Sequence, residues 1–290
     1  MMQKKVVITG AQGALGSAYV RALVPQGYEV VCISKSDEEI KVYKRLPKDP
    51  YEILGEDNLT NIKVHGVDLA QANAVIRRLF RGAYAVIMAA ANPDPRQSKA
   101  SAERNRRIDR NTLNAALDCG AEIIIYLSSM LRLAGLVDGD KIIRPDMSAP
   151  RGYYGDSKQR TVEQMQQLSK QNPGVYFLYN DHGWYPRETR GAPPTNYTDR
   201  ALQSWVAETE TQQHILMQLE ICQNPNFVGN FHGFITVSKN IPNEEARRMG
   251  HRPFIFDIAP SEKLGIEHTA NIYEMLPEYW KWRRVPIHMY

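Results

Sequence analysis

The chain has 290 residues, 43% of them hydrophobic and 23% charged, with a formal net charge of +4. Such a balance belongs to a globular chain that buries a full core, as one large α/β domain or a large domain with a small lobe. Positive charge is dispersed apart from clusters at Arg104 to Arg110 and Lys281 to Arg284, which argues against a nucleic-acid partner, and no apolar run is long enough to span a membrane.

In chain order, the hydrophobic pattern predicts a strand at Val6–Thr9, a helix at Ala14–Val24 and a strand at Glu29–Ile33. A charged insertion over 35–61 follows, with a short helix at Glu38–Arg45. Next come strand Ile62–Val67, helix Ala72–Phe80, strand Ala85–Met88, helix Ala100–Cys119 and strand Glu122–Leu127. A loop with Gly135, Gly139, Pro145 and Pro150 leads to helix Tyr154–Lys170 and strand Gly174–Tyr179. The alternation of strands and helices predicts a doubly wound parallel sheet of the Rossmann type. Past about residue 185 the pattern loosens into a helix at Trp205–Cys222, a strand at Phe231–Val237 and a short helix at Glu244–Met249 capped by Gly250. The division expected is a dinucleotide-binding domain over 1–185 and a small C-terminal substrate lobe over 186–290, interleaved with the last core strand.

Two motifs carry chemistry. Val6 to Ser17 is an apolar strand entering a turn with Gly10, Gly13 and Gly16 spaced three apart. Glycine there lets a pyrophosphate approach main-chain N–H groups at the positive end of the next helix. Tyr154 and Lys158 form a Tyr-x-x-x-Lys pair that shares one face of a helix. An ammonium beside a phenol stabilises the phenolate and suits Tyr154 to acid/base work at a carbinol or carbonyl. Between the motifs, Ser128-Ser129 ends the apolar run Ile123 to Leu127.

Taken together, these residues resemble the extended short-chain dehydrogenase/reductase superfamily, also called the NAD-dependent epimerase/dehydratase family, over roughly residues 4–190. Thr9 to Gly16 looks like its cofactor turn, Asp68-Leu69 like its adenine-side pair, Val86 to Asn92 like the strand and loop beside the cofactor, and Asn105 to Ala116 like its long helix. Uronate dehydrogenases are the most similar members in length, in Ser-Ser to Tyr-x-x-x-Lys spacing and in the segment Gly233 to Pro253. The resemblance implies catalysis by Tyr154, Lys158 and Ser129, with Asn105 supporting the lysine through a water. It implies a cofactor site of Gly10, Gln12, Gly13, Ala14, Leu15, Gly16, Ser34, Lys35, Asp68, Leu69, Ala89, Ala90, Ala91 and Lys158. Asn92, Ser129, Met130, His182 and Arg187 would meet a carbohydrate-like substrate, and a homo-oligomer is expected.

Several positions depart from the family pattern. Counted back from Gly135, the usual catalytic hydroxyl falls on Met130, so either Ser129 takes its place or the site works without it. Tyr179 and His182 stand where the family usually has arginine and asparagine. At the end of the second strand Ser34-Lys35-Ser36 precedes Asp37; a hydroxyl and an ammonium suit a 2′-phosphate, which favours NADP over NAD, unless Asp37 swings back to the ribose. The arginines at 104, 106, 107 and 110 read as a solvated helix face, the alternative being an anionic group nearby. Cys32, Cys119 and Cys222 read as buried thiols, no metal is expected, and the absence of a visible signal peptide points to the cytoplasm. The activity expected is hydride transfer at a hydroxyl or carbonyl of a sugar or sugar acid, the alternatives being a nucleotide-sugar epimerase or dehydratase and a non-catalytic nicotinamide-binding regulator.

Overall fold

Seven apolar runs become seven strands of one parallel sheet. The computed structural model describes residues 3–35, 61–71, 74–137, 141–185, 203–248 and 253–275. The strands are β1 (Lys5–Thr9), β2 (Glu29–Ser34), β3 (Ile62–Gly66), β4 (Ala85–Met88), β5 (Ile123–Leu127), β6 (Tyr176–His182) and β7 (Phe231–Thr236), in the order β3-β2-β1-β4-β5-β6-β7. Every neighbouring pair is parallel. The helices are α1 (Ala14–Leu23), α2 (Ala74–Phe80), α3 (Lys99–Asp118), α4 (Gly152–Gln171), α5 (Glu208–Leu219), α6 (Glu244–Arg248), α7 (Ala259–Leu264) and α8 (Ile272–Met275).

Strands covered on both faces have apolar centres, as in β1, where Val6 and Ile8 join one core layer and Val7 the other. The first layer packs Tyr19, Val20 and Leu23 of α1 and Ile215 and Leu219 of α5 onto the sheet. The second packs Phe80 of α2, Leu113 and Ala116 of α3, and Val162 and Met165 of α4. Full burial of each such Leu, Ile or Phe side chain is worth about 1.5–3 kcal/mol. The C-terminal segments share this core, since Phe234 of β7 and Leu264 of α7 belong to the first layer. Arg21 of α1 also pairs with Glu208 of α5 at 2.6 Å.

The expected elements are found with local differences. β6 runs on through Asn180, Asp181 and His182, because each polar side chain finds a buried partner. α5 starts at Glu208 instead of Trp205, since Trp205 forms a bridge with Trp184. α7, α8 and a 3₁₀ turn at Met130–Arg132 were not expected. The helix predicted at Glu38–Arg45 and the cap Gly250 lie outside the described residues. Of the three cysteines only Cys32 is buried, while Cys222 is exposed. Among the described residues no helix is long and apolar enough to cross a membrane, and no cluster of His, Cys, Asp or Glu is arranged to hold a metal.

Behind β5, the buried Arg132 meets the buried carboxylate of Asp181, its Nε at 2.8 Å from Oδ1 and its Nη2 on Oδ2. The same guanidinium donates to Met147 O, Pro145 O and Gln159 Oε1. Removing one partner of such a pair strands the other charge in the core, whereas replacing both with apolar groups is far milder. Arg132→Met should therefore lower unfolding free energy by about 3–5 kcal/mol in denaturant titration, and Arg132→Met/Asp181→Leu should regain most of that loss.

On the opposite face, beneath α5, lies a group of buried histidines. His182 Nδ1 meets Gly183 O at 3.0 Å and its Nε2 meets Thr211 Oγ1 at 3.5 Å. Both ring nitrogens of His214 are buried without a hydrogen-bond partner among the described residues. Burial pushes His182 down to about 4, against the opposing bond to Gly183, and pushes His214 well below the ordinary value, with His268 and His182 adding to the effect. Both are thus neutral in the native state, whereas the unfolded chain takes up their protons below about pH 6.5. Their contribution is fully present above that pH and lost as pH falls through it, by about 1.4 kcal/mol per pH unit for each histidine. Denaturant midpoints measured from pH 7 down to pH 5 should fall steadily, and less steeply in His182→Gln.

Candidate active site

The glycine turn closes at the C-terminal end of β1. Gly10 N donates to Ile33 O at 2.8 Å and Gly13 N to Gly10 O at 2.8 Å. Gly10 has φ +68°, and a Cβ there would stand 2.7 Å from Ala90 backbone atoms. At Gly16 a Cβ would stand 2.2 Å from Gly10 O, so the helix can meet the turn only without a side chain at that position. The turn forms the floor of a cleft of about 650 Å³ over the strand ends.

Gly10, Gln12, Gly13, Ser34, Lys35, Asp68, Leu69, Ala89, Ala90, Ala91, Asn92 and Asn105 all line this cleft. Ala14, Leu15 and Gly16 form the first turn of α1 behind it. Two buried polar atoms of the lining, Gln12 Oε1 and Ser34 Oγ, have no hydrogen-bond partner among the described residues. A dinucleotide fits these features: a backbone cradle that a Cβ would fill, a helix N-terminus, and buried donors and acceptors awaiting a polar ligand.

The sequence reading missed Arg104, which also lines the cleft and bonds Asp68 Oδ1 at 2.7 Å. Although partial burial pushes Asp68 the other way, Arg104, the Ala70 N–H and Lys35 hold its carboxyl below the usual carboxylate range. Arg104 is therefore part of the cleft wall, whereas the equally exposed Arg106 pairs with Glu103 outside it. The signal was present, since Ser101, Arg104, Asn105 and Ile108 all line the cleft at helical spacing.

Asn105 is committed to the loop after β4. Its Oδ1 accepts from Asn92 N at 2.8 Å, and its Nδ2 donates to Asn92 O and Gln97 Oε1. The Asn92 side chain in turn donates to Ser101 Oγ at the start of α3 and accepts from Asp94 N.

Past the cleft, β5 and α4 bring the catalytic candidates together. Lys158 is 3% exposed, and its Nζ donates to Leu127 O at 2.7 Å. That Nζ lies 4.5 Å from the centroid of the Tyr126 ring and 5.5 Å from that of Tyr154. Ser128 turns inward beside Asp181, while the half-buried Ser129 accepts from Leu131 N at 3.2 Å and keeps its hydroxyl proton for another acceptor. Met130 opens the 3₁₀ turn and packs on a small cluster around Leu133 and Phe256. His182 is not brought to this group, because it faces Thr211 on the α5 side. Arg187 lies outside the described residues.

Comparison with solved structures finds the same fold in several chains of low sequence identity. The uronate dehydrogenase from Agrobacterium tumefaciens superposes with a TM-score of 0.71 at 20% identity, covering 99% of this chain and 91% of that one. The glucuronic acid dehydrogenase from Chromohalobacter salexigens gives 0.71 at 16% identity, over 99% and 91% of the two chains. A UDP-galactose 4-epimerase gives 0.67 at 18% identity, over 95% and 97%. At these identities the likeness is one of fold. No curated protein matches the sequence. The family model for the NAD dependent epimerase/dehydratase family matches residues 6–180, more than half of the chain. The chain belongs to that family and is an NAD(P)-dependent enzyme of the dehydrogenase/epimerase kind.

Proposed function

We propose that this enzyme oxidises a hydroxyl-bearing carbon of a free sugar or sugar acid, or reduces the corresponding carbonyl, by hydride transfer. The observation that carries the reading is the Tyr154–Lys158 arrangement, with a buried ammonium anchored on Leu127 O and set 5.5 Å from the Tyr154 ring. A bound nicotinamide would supply the hydride acceptor or donor. Tyr154 takes or returns the hydroxyl proton, and the charge on Lys158 stabilises its phenolate. Ser129 donates its hydroxyl to the substrate oxygen, a role favoured by its exposure relative to the inward Ser128. The substrate lobe expected over 186–290 would be drawn from the C-terminal segments outside β7, α5 and α7, which belong to the sheet core. Structural neighbours include uronate dehydrogenases as well as an enzyme described in complex with UDP-glucuronic acid and NAD, which supports a sugar-acid substrate.

Screening sugars and sugar acids for a substrate-dependent change in nicotinamide absorbance, with epimer formation scored in parallel, tests the class. On the substrate so found, Tyr154→Phe should lower kcat by about two to four orders of magnitude with cofactor affinity nearly unchanged. Near-full turnover in that variant would remove the acid/base assignment.

Ser34 and Lys35 favour NADP, since both line the cleft and Lys35 acts electrostatically on Asp68 at the same end. Calorimetry should show NADP binding more tightly than NAD, with Lys35→Ala erasing the difference. Tighter NAD binding that ignores Lys35→Ala would show NAD to be the working cofactor.

A further inference from the structure

At the tips of β2 and β3 the cleft ends in a corner where, among the described residues, two cations stand around one carboxylate. Ser34 ends β2 and Lys35 follows it, while Val67 and Asp68 follow β3. The two tips are clamped together, since Val67 N donates to Ser34 O at 2.7 Å and Ser34 pairs with Gly66 in register. Arg104 reaches the same corner from α3, and its Nη2 donates to Asp68 Oδ1 at 2.7 Å. That oxygen also accepts from Ala70 N at 3.0 Å, so the carboxylate is held from two sides. Ser34 Oγ is buried in the lining and has no hydrogen-bond partner among the described residues.

A bare carboxylate here works against a phosphate. It repels a phosphate group on the adenosine ribose and competes with it for the Lys35 ammonium. Asp68 is ionised, because the bonds from Arg104 and the Ala70 N–H outweigh its partial burial and hold it below the usual carboxylate range. Its charge must be cancelled if a phosphate is to enter beside Ser34 and Lys35. Arg104 is the cation in direct contact with it. Side-chain exposures of 40% and 30% leave this pair partly solvated, so it avoids the heavy desolvation cost of a buried pair.

We propose that Arg104 masks Asp68, and that this masking lets the adenosine end of the cleft accept a ribose 2′-phosphate beside Ser34 and Lys35. Arg104 is then a specificity-determining residue that acts through Asp68, not a ligand of the phosphate. The inference rests on the NADP reading and explains why a carboxylate at this corner does not exclude the phosphate.

Calorimetry on the whole chain tests it with NADP and NAD, which differ by the 2′-phosphate alone. The quantity read is the ratio of the two affinities. Arg104→Gln keeps a donor for Asp68 and removes the charge, and it should lower the ratio by about tenfold, almost all of it through weaker NADP binding. Arg104→Gln/Asp68→Asn removes both charges of the pair and should bring the ratio back to within about threefold of the original. Both side chains are partly exposed, so neither change opens the core. An unmoved ratio in Arg104→Gln would reduce the pair to a surface ion pair with no part in recognition. A double variant as weak toward NADP as Arg104→Gln would point to direct contact between guanidinium and phosphate, and would overturn the masking role while leaving the NADP reading in place. Equal binding of NAD and NADP by the unmodified chain, or a ratio that ignores Lys35→Ala, would remove the NADP reading itself and the masking role with it.

Discussion

The site depends on one guanidinium. Arg132 follows the strand that ends in Ser128-Ser129, and its donors reach three separate parts of the chain: Asp181 at the end of β6, Gln159 on α4, and the carbonyls of Pro145 and Met147 in the long loop. An arginine in a dry interior is stable only when its planar fork is fully engaged, and that demand makes the geometry specific. Once Arg132 is satisfied, the turn after β5, the loop toward α4 and the end of β6 are all fixed relative to one another. Tyr154 and Lys158 rise from the helix that this network braces.

Most of the fold was legible in the sequence because a parallel sheet covered on both sides demands uninterrupted apolar strands. Ala85–Met88 was read with its true limits, since the four residues are wholly buried and the run is bracketed by Gly82 before it and Asn92-Pro93 after it. β6 was cut short for the complementary reason. Asn180 pairs with Gln218, Asp181 with Arg132 and His182 with Gly183 O, so polar side chains lie in the core, satisfied by partners that a local pattern cannot foresee. The cofactor cleft was largely readable because phosphate binding is a backbone property, and glycine spacing reports backbone directly. Arg104, Asp109 and Arg132 were not readable as parts of the site. Each looks like a surface charge until the tertiary structure supplies its partner: Asp68, the Tyr126–Thr161 pair and Asp181.

Charge is distributed unevenly along the strand ends. Toward β2 and β3 the cleft carries Lys35 and Arg104 around a single carboxylate, Asp68. Toward β5 and β6 two buried carboxylates, Asp109 and Asp181, surround Lys158 and Arg132. The first arrangement is partly solvated and suits an anionic ligand. The second is dry, and burial pushes both of its carboxyls up.

The attachment of β7 has a mechanical consequence. It is hydrogen-bonded in parallel to β6 over six residue pairs, from Phe177↔Phe231 to His182↔Thr236, while α5 packs on α1 and is tied to it through Arg21 and Glu208. Swinging the C-terminal half away as a rigid body would tear a strand from the sheet and open the core, at a cost close to that of unfolding. Two-body closure of the hinge type therefore has no place to pivot among these elements. Small molecules at the strand tips therefore meet a base in which β7, α5 and α1 are fixed to the sheet.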